Sequence, residues 1–125
     1  MNQENITKLH LMAFIYLTLA DIDDNPTEKE MSIAIDLIKE WGVEDKHAAD
    51  VVIKETFEWY MTARDENKIG SEIQNNFHVF DGFSEDHRKV ILSDMIKIIK
   101  ADGDIDPKET KFFGVIADCL GIDLS

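Results

Sequence analysis

A chain of 125 residues with a formal net charge of -13 and a pI near 4.5 is one domain's worth of sequence, able to bury a core without disulfides or metal staples. Its 44% apolar content excludes a disordered chain despite 31% charged residues, and two prolines and six glycines are too few for a flexible linker. Such acidity disfavours nucleic acid and anionic membranes, since association adds repulsion instead of releasing counterions, and favours metal cations or basic partner segments.

Apolar residues recur at spacings of three and four almost throughout, and no stretch alternates over a strand's length. The chain therefore reads as all-α, a compact bundle of about six helices in a single domain over 1–125. The first helix, about Ile6 to Ala20, is apolar on most sides and is expected to form the axis of the core. Its run from Leu9 to Ala20 contains His10 and Thr18, is too short to cross about 30 Å of hydrocarbon, and follows Glu4 and not a basic leader. It reads as neither a membrane span nor a signal peptide, which points to the cytoplasm.

The second helix opens at Asn25-Pro26-Thr27-Glu28, turns Met31, Ala34, Ile35 and Ile38 to one face and stops at Gly42. The third, about Asp45 to Arg64, is expected to bury Ala49, Val52, Ile53, Phe57 and Tyr60. After a polar turn over 65–70, Ser71-Glu72-Ile73-Gln74 reads as a capping box that starts a short helix ending at Asp81-Gly82. Ser84 caps a long helix through Lys100 with Val90, Ile91, Met95 and Ile98 inward. Asp106-Pro107 starts the last helix, with Phe112, Val115, Ile116 and Cys119 inward, and Gly121 stops it. The single Cys119 forms no intramolecular disulfide and reads as a small buried hydrophobe.

One acidic loop occurs twice. Ala20-Asp21-Ile22-Asp23-Asp24-Asn25-Pro26-Thr27-Glu28 returns 81 positions later as Ala101-Asp102-Gly103-Asp104-Ile105-Asp106-Pro107-Lys108-Glu109. Residues 11–28 and 92–109 share seven of eighteen positions, where composition alone gives about one. The chain thus reads as two pseudo-twofold-related helix–acidic loop–helix repeats, about 6–43 and 84–122, around an unduplicated middle of about 44–83.

In the second copy, Asp102, Asp104, Asp106 and Glu109 stand at positions 1, 3, 5 and 8, from which side-chain oxygens can converge on a hard cation such as Ca²⁺ or Mg²⁺. The first copy supplies Asp21, Asp23, Asn25 and Glu28 in the same register. An EF-hand is excluded: its glycine at position 6 and glutamate at position 12 are replaced by Pro107 and Phe113, or by Pro26 and Ser32. Binding is therefore expected to be weak, about 10⁻⁴–10⁻³ M or weaker unless the two loops pool their carboxylates. Helix capping competes with this reading. Asn25 or Asp106 as N-cap, proline next and Glu28 or Glu109 in the first turn stabilise a helix start by about 0.5–2 kcal/mol without a ligand. The remaining aspartates then need only be solvated turn residues.

The segment from Leu92 to Glu109, with its Ala101-Asp102-Gly103-x-Ile105-x-x-x-Glu109 pattern after an apolar helix, resembles the tellurite-resistance TerB family, whose domain is also met at the amino terminus of the co-chaperone DjlA. The resemblance implies an all-helical domain in two halves and acidic clusters that bind divalent cations. It implies a bacterial role in tellurite, phage and chemical-stress resistance, with no enzyme activity. Its signature acids fall on Asp102 and Glu109 and, through the repeat, on Asp21 and Glu28. Ile22 stands where the second copy has Gly103, which restricts the turn and favours the second loop.

His10, His47, His78 and His87 never fall three or four apart and have no cysteine near them, and no nucleotide-binding or hydrolase motif occurs. A non-enzymatic protein in a stress-response or membrane-associated assembly, able to form a homodimer, is the expectation. The alternative is an interaction module whose acidic surface recruits a basic or amphipathic segment. Phe77, Phe80 and Phe83 are expected in the core, or else as a groove for such a partner.

Overall fold

The structure is a computed structural model that describes residues 6–21, 28–41, 46–101 and 107–122, with the side chains of all of these but 28–30 and 46–49. The elements are helices α1 (Lys8–Asp21), α2 (Glu28–Trp41), α3 (Lys46–Asp65), α4 (Ile69–Asn76), α5 (Glu85–Ile99) and α6 (Pro107–Leu120), with a 3₁₀ turn over Phe77–Phe80. No strand occurs among the described residues.

α1 is the axis, as its all-round apolarity requires. Every residue from His10 to Asp21 is buried, and α2, α3, α4, α5 and the 3₁₀ turn all pack against it. Of its polar members, Thr18 is satisfied within the helix, its Oγ1 donating to the Phe14 carbonyl at 2.7 Å. At its start the Thr7 hydroxyl accepts from the His10 amide at 3.3 Å while the Thr7 amide donates to His10 Nδ1 at 3.1 Å. This is a reciprocal cap with histidine in the usual place of glutamate, and it engages His10 in helix initiation.

Helix ends follow local chemistry. Ser84 caps α5 by accepting from the His87 amide at 3.2 Å. Gly121, at φ +74°, closes α6 with hydrogen bonds from its own amide to the Asp118 carbonyl and from Ile122 to Ala117, both 3.0 Å. The same closure ends α3 on Asn67, at φ 58°, with the Lys68 amide donating to the Ala63 carbonyl at 2.8 Å. That closure leaves Lys68 at the start of α4, which therefore begins at Ile69 with no side-chain cap. The capping box expected at Ser71 and Gln74 lies inside the helix. α4 also stops earlier than expected, at Asn76, whose side chain donates back to the Glu72 carbonyl at 2.8 Å.

The buried faces depart from the expected ones in three helices. α3 turns Val52, Thr56, Tyr60 and Ala63 inward, and Phe57, about 100° from Thr56, is 44% exposed. Val90 is likewise exposed, because α5 buries Ile91, Leu92, Asp94, Met95, Ile98 and Ile99. In α6 the inward stripe is Glu109, Ile116, Ala117 and Leu120. Val115 and Cys119 are exposed, so Cys119 is not a buried hydrophobe. The aromatic segment is core, as expected. Phe80 is buried and stacks on Phe83 at 5.4 Å, which in turn stacks on Trp41 at 5.9 Å.

Candidate functional site

Of the loop residues singled out by the sequence, Asp21 and Glu109 are described with their side chains and Glu28 by its place as the first residue of α2. Asp23, Asn25, Asp102, Asp104 and Asp106 lie outside the described residues. Among the described residues, no three His, Cys, Asp or Glu side chains gather as a metal-ligand set.

Asp21 is the last residue of α1 and opens the first loop. It is only 6% exposed, a poor match to a solvated turn residue. Two side chains of α3 reach the same carboxylate oxygen. The Tyr60 hydroxyl donates to Asp21 Oδ2 at 2.6 Å, and Arg64 Nη1 stands 3.1 Å from it. Tyr60 and Arg64 are four apart, one helical turn, so a single face of α3 supplies both donors. The tyrosine is buried and gives a strong charge-assisted hydrogen bond. The guanidinium is 43% exposed, so its Coulombic contribution is screened, yet it places a positive charge where the first loop begins.

Glu109, in the first turn of α6, is 1% exposed. Both described carboxylates of the signature are thus built into the fold.

A third buried acid has no counterpart in the sequence expectations. Asp94, 4% exposed on α5, accepts at Oδ2 from the Tyr16 hydroxyl of α1 at 2.8 Å and from Trp41 Nε1 at the end of α2 at 2.9 Å. Lys97 Nζ lies 3.9 Å from the other oxygen. One carboxylate therefore ties three helices together. Burial first, and then the Asp94 charge and hydrogen bond, push the Tyr16 hydroxyl far above the ordinary tyrosine range. The signal was present in the sequence: Asp94 falls three after Ile91 and four before Ile98, an acid on an otherwise apolar face.

Helices wrapped on a buried central helix, with Asp21 and Glu109 buried at helix ends, define an all-α bundle. The family model described as Tellurite resistance protein TerB matches residues 8–125, and the chain belongs to that family. No curated protein and no solved structure matches the chain.

Proposed function

We propose that the chain is a non-enzymatic TerB-family protein of a cytoplasmic stress-response assembly, and that its acidic loops bind a divalent cation weakly. The donor set is all oxygen, which suits Ca²⁺ or Mg²⁺. The observation that supports the reading is that both described acids of the repeated pattern, Asp21 and Glu109, are buried in the fold and not solvated as turn residues, Asp21 being held by Tyr60 and Arg64. A carboxylate held by donors behind it is how proteins orient a metal ligand. The same geometry ranks the two loops. The Arg64 guanidinium already supplies counter-charge at Asp21, so the first loop, with Asp23, Asn25 and Glu28, gains less from a cation than the second. Asp102, Asp104, Asp106 and Glu109 are the principal ligands in this proposal.

The test is the thermal midpoint in EDTA and then in Ca²⁺, Mg²⁺, Mn²⁺ and Zn²⁺. Binding at ten times the dissociation constant stabilises by about 1.4 kcal/mol, a rise of about 3–6 °C for a domain of this size. Asp102→Asn with Asp104→Asn is expected to abolish the rise, and Asp23→Asn to leave most of it. A midpoint that no ion moves at millimolar concentration would sink the cation reading and leave the loops as helix caps.

A second reading is favoured by Phe57 and Met61, one turn apart on α3 and 44% and 37% exposed, with Lys54, Glu58, Arg64 and Asp65 exposed around them. An exposed apolar pair on a chain of net charge -13 suits the apolar face of a basic amphipathic helix. A Lys/Leu model helix is expected to bind the wild type and to lose at least tenfold in affinity with Phe57→Ser and Met61→Ser. Equal binding by both proteins would remove this surface from consideration.

A further inference from the structure

A cavity of about 350 Å³, within the range of about 300–1,000 Å³ that small-molecule sites occupy, opens between the end of α2 and α5. Glu40 and Trp41 line it from the last turn of α2, and Val90, Asp94 and Lys97, spaced four and three apart, line it from one stripe of α5. The carboxyl end of α2 is the negative pole of a helix dipole, which favours a cation there.

The buried Asp94 gives the cavity its chemistry. Its Oδ2 accepts from the Tyr16 hydroxyl and the Trp41 indole, which hold the carboxylate in one orientation. Among the described residues its Oδ1 accepts no hydrogen bond. Lys97 Nζ stands 3.9 Å from it, beyond hydrogen-bond reach, on a side chain that is 59% exposed. A buried carboxylate oxygen short of a donor calls for an N–H group. Glu40 is exposed, lines the same cavity and forms no ion pair among the described residues. Lys97 therefore offsets one of two negative charges, and one remains. The residues next in sequence, Gly42, Val43, Glu44 and Asp45, include no base. A divalent metal is a poor match, because two carboxylates beside an ammonium fall short of the six or more oxygens that Ca²⁺ takes. A protein partner is a poor match too, because five residues line the cavity whereas a stable protein interface engages about 20–30 a side.

We propose that the α2–α5 cavity binds a free primary alkylamine as its ammonium ion, with N–H groups donating to Asp94 Oδ1 and Glu40 and the alkyl chain against Trp41 and Val90. One positive charge answers the one left over, and a primary ammonium supplies the donor that a quaternary one lacks. Lys97 is then a tethered competitor, an ammonium on a four-carbon stem that stands near the same oxygen and gives way to the ligand. This site is independent of the loop cations. Its readout is built in, because the Trp41 indole N–H donates to the same carboxylate and its ¹H–¹⁵N resonance responds to charge arriving at Asp94. The indole of Trp59, bonded to Glu72, serves as the internal reference.

The experiment titrates the ¹⁵N-labelled protein in EDTA with methylammonium, propylammonium and butylammonium chloride, against sodium chloride at matched ionic strength. The Trp41 resonance is expected to shift saturably and that of Trp59 to stay in place, with the dissociation constant falling about two- to fourfold per added methylene. Tetramethylammonium, which has no donor, and butanol, which has no charge, are expected to bind at least fivefold more weakly than butylammonium. Lys97→Met is expected to tighten butylammonium at least threefold by removing the competitor. Glu40→Gln is expected to weaken it at least threefold with an unchanged thermal midpoint. The same dissociation constant with Ca²⁺ in place of EDTA separates this site from the loops. A Trp41 shift no larger than that in sodium chloride, or an equal one in tetramethylammonium, overturns the proposal, as does weaker binding by Lys97→Met. An Nα-acetyl-lysine amide that binds at least fivefold more tightly than butylammonium also overturns it, and assigns the cavity to the lysine side chain of a partner.

Discussion

Replacing Asp94 by alanine is expected to cost about 2–4 kcal/mol of stability and lower the thermal midpoint by about 6–16 °C, although the residue lies outside both acidic loops. The magnitude comes from what is left behind. The Tyr16 hydroxyl sits on a side chain with no exposure to solvent and the Trp41 indole N–H on a half-buried one, and both donate to the same carboxylate oxygen. Without it two donors lose an ionised acceptor in the interior, which costs more than the loss of one hydrogen bond at the surface. Asp94→Asn keeps an acceptor of similar shape and is expected to cost less than half as much. Tyr16→Phe is expected to cost about 1.5–3 kcal/mol in the wild type and clearly less once Asp94 is alanine, because its partner is already gone. Chemical denaturation of the four proteins measures this coupling. Additive costs would show that the hydroxyl and the carboxylate do not depend on each other.

The same pair makes the fold sensitive to alkali. The unfolded chain releases the Tyr16 proton near pH 10, the ordinary tyrosine value, whereas burial and the adjacent Asp94 charge hold it in the folded chain to a far higher pH. The contribution is fully present below pH 10. Above it the native state binds one proton more than the unfolded state, so stability falls by about 1.4 kcal/mol per pH unit. At pH 12 this one group is expected to have removed about 2.7 kcal/mol. Tyr16→Phe is expected to flatten the alkaline limb by that one-proton slope while lowering stability at neutral pH, so the two stability curves converge as pH rises. Urea titrations between pH 8 and pH 12 test this. Parallel curves would mean that Tyr16 does not carry the linkage.

These two effects and the loop chemistry were legible to different degrees. The apolar spacing disclosed the helices, because a 3.6-residue period marks every element that buries one side. Ser84 and Gly121 disclosed their helix ends, because capping is a contact between near neighbours in the chain. The start of α4 was not legible. Ser71 and Gln74 form a sound local signal, but the left-handed closure at Asn67 initiated the helix three residues earlier, with Lys68 in the N-cap place expected of Ser71. The repeated acids were visible as a pattern, while the anchoring of Asp21 by Tyr60 and Arg64 was not, since those residues are 39 and 43 positions away.

The sequence by itself determined the fold class, the central place of α1, the family and the residues at which a cation site should be sought. All of these rest on composition, short-range periodicity or motif, which no partner can alter. Only the tertiary structure decided which carboxylates are buried, which face of α6 meets the core and which is left exposed. Adjacent helix faces differ by about 100° per residue, so two neighbouring stripes of α6 are both apolar in sequence. The choice between Ile116–Leu120 and Val115–Cys119 falls to the surface that α5 presents.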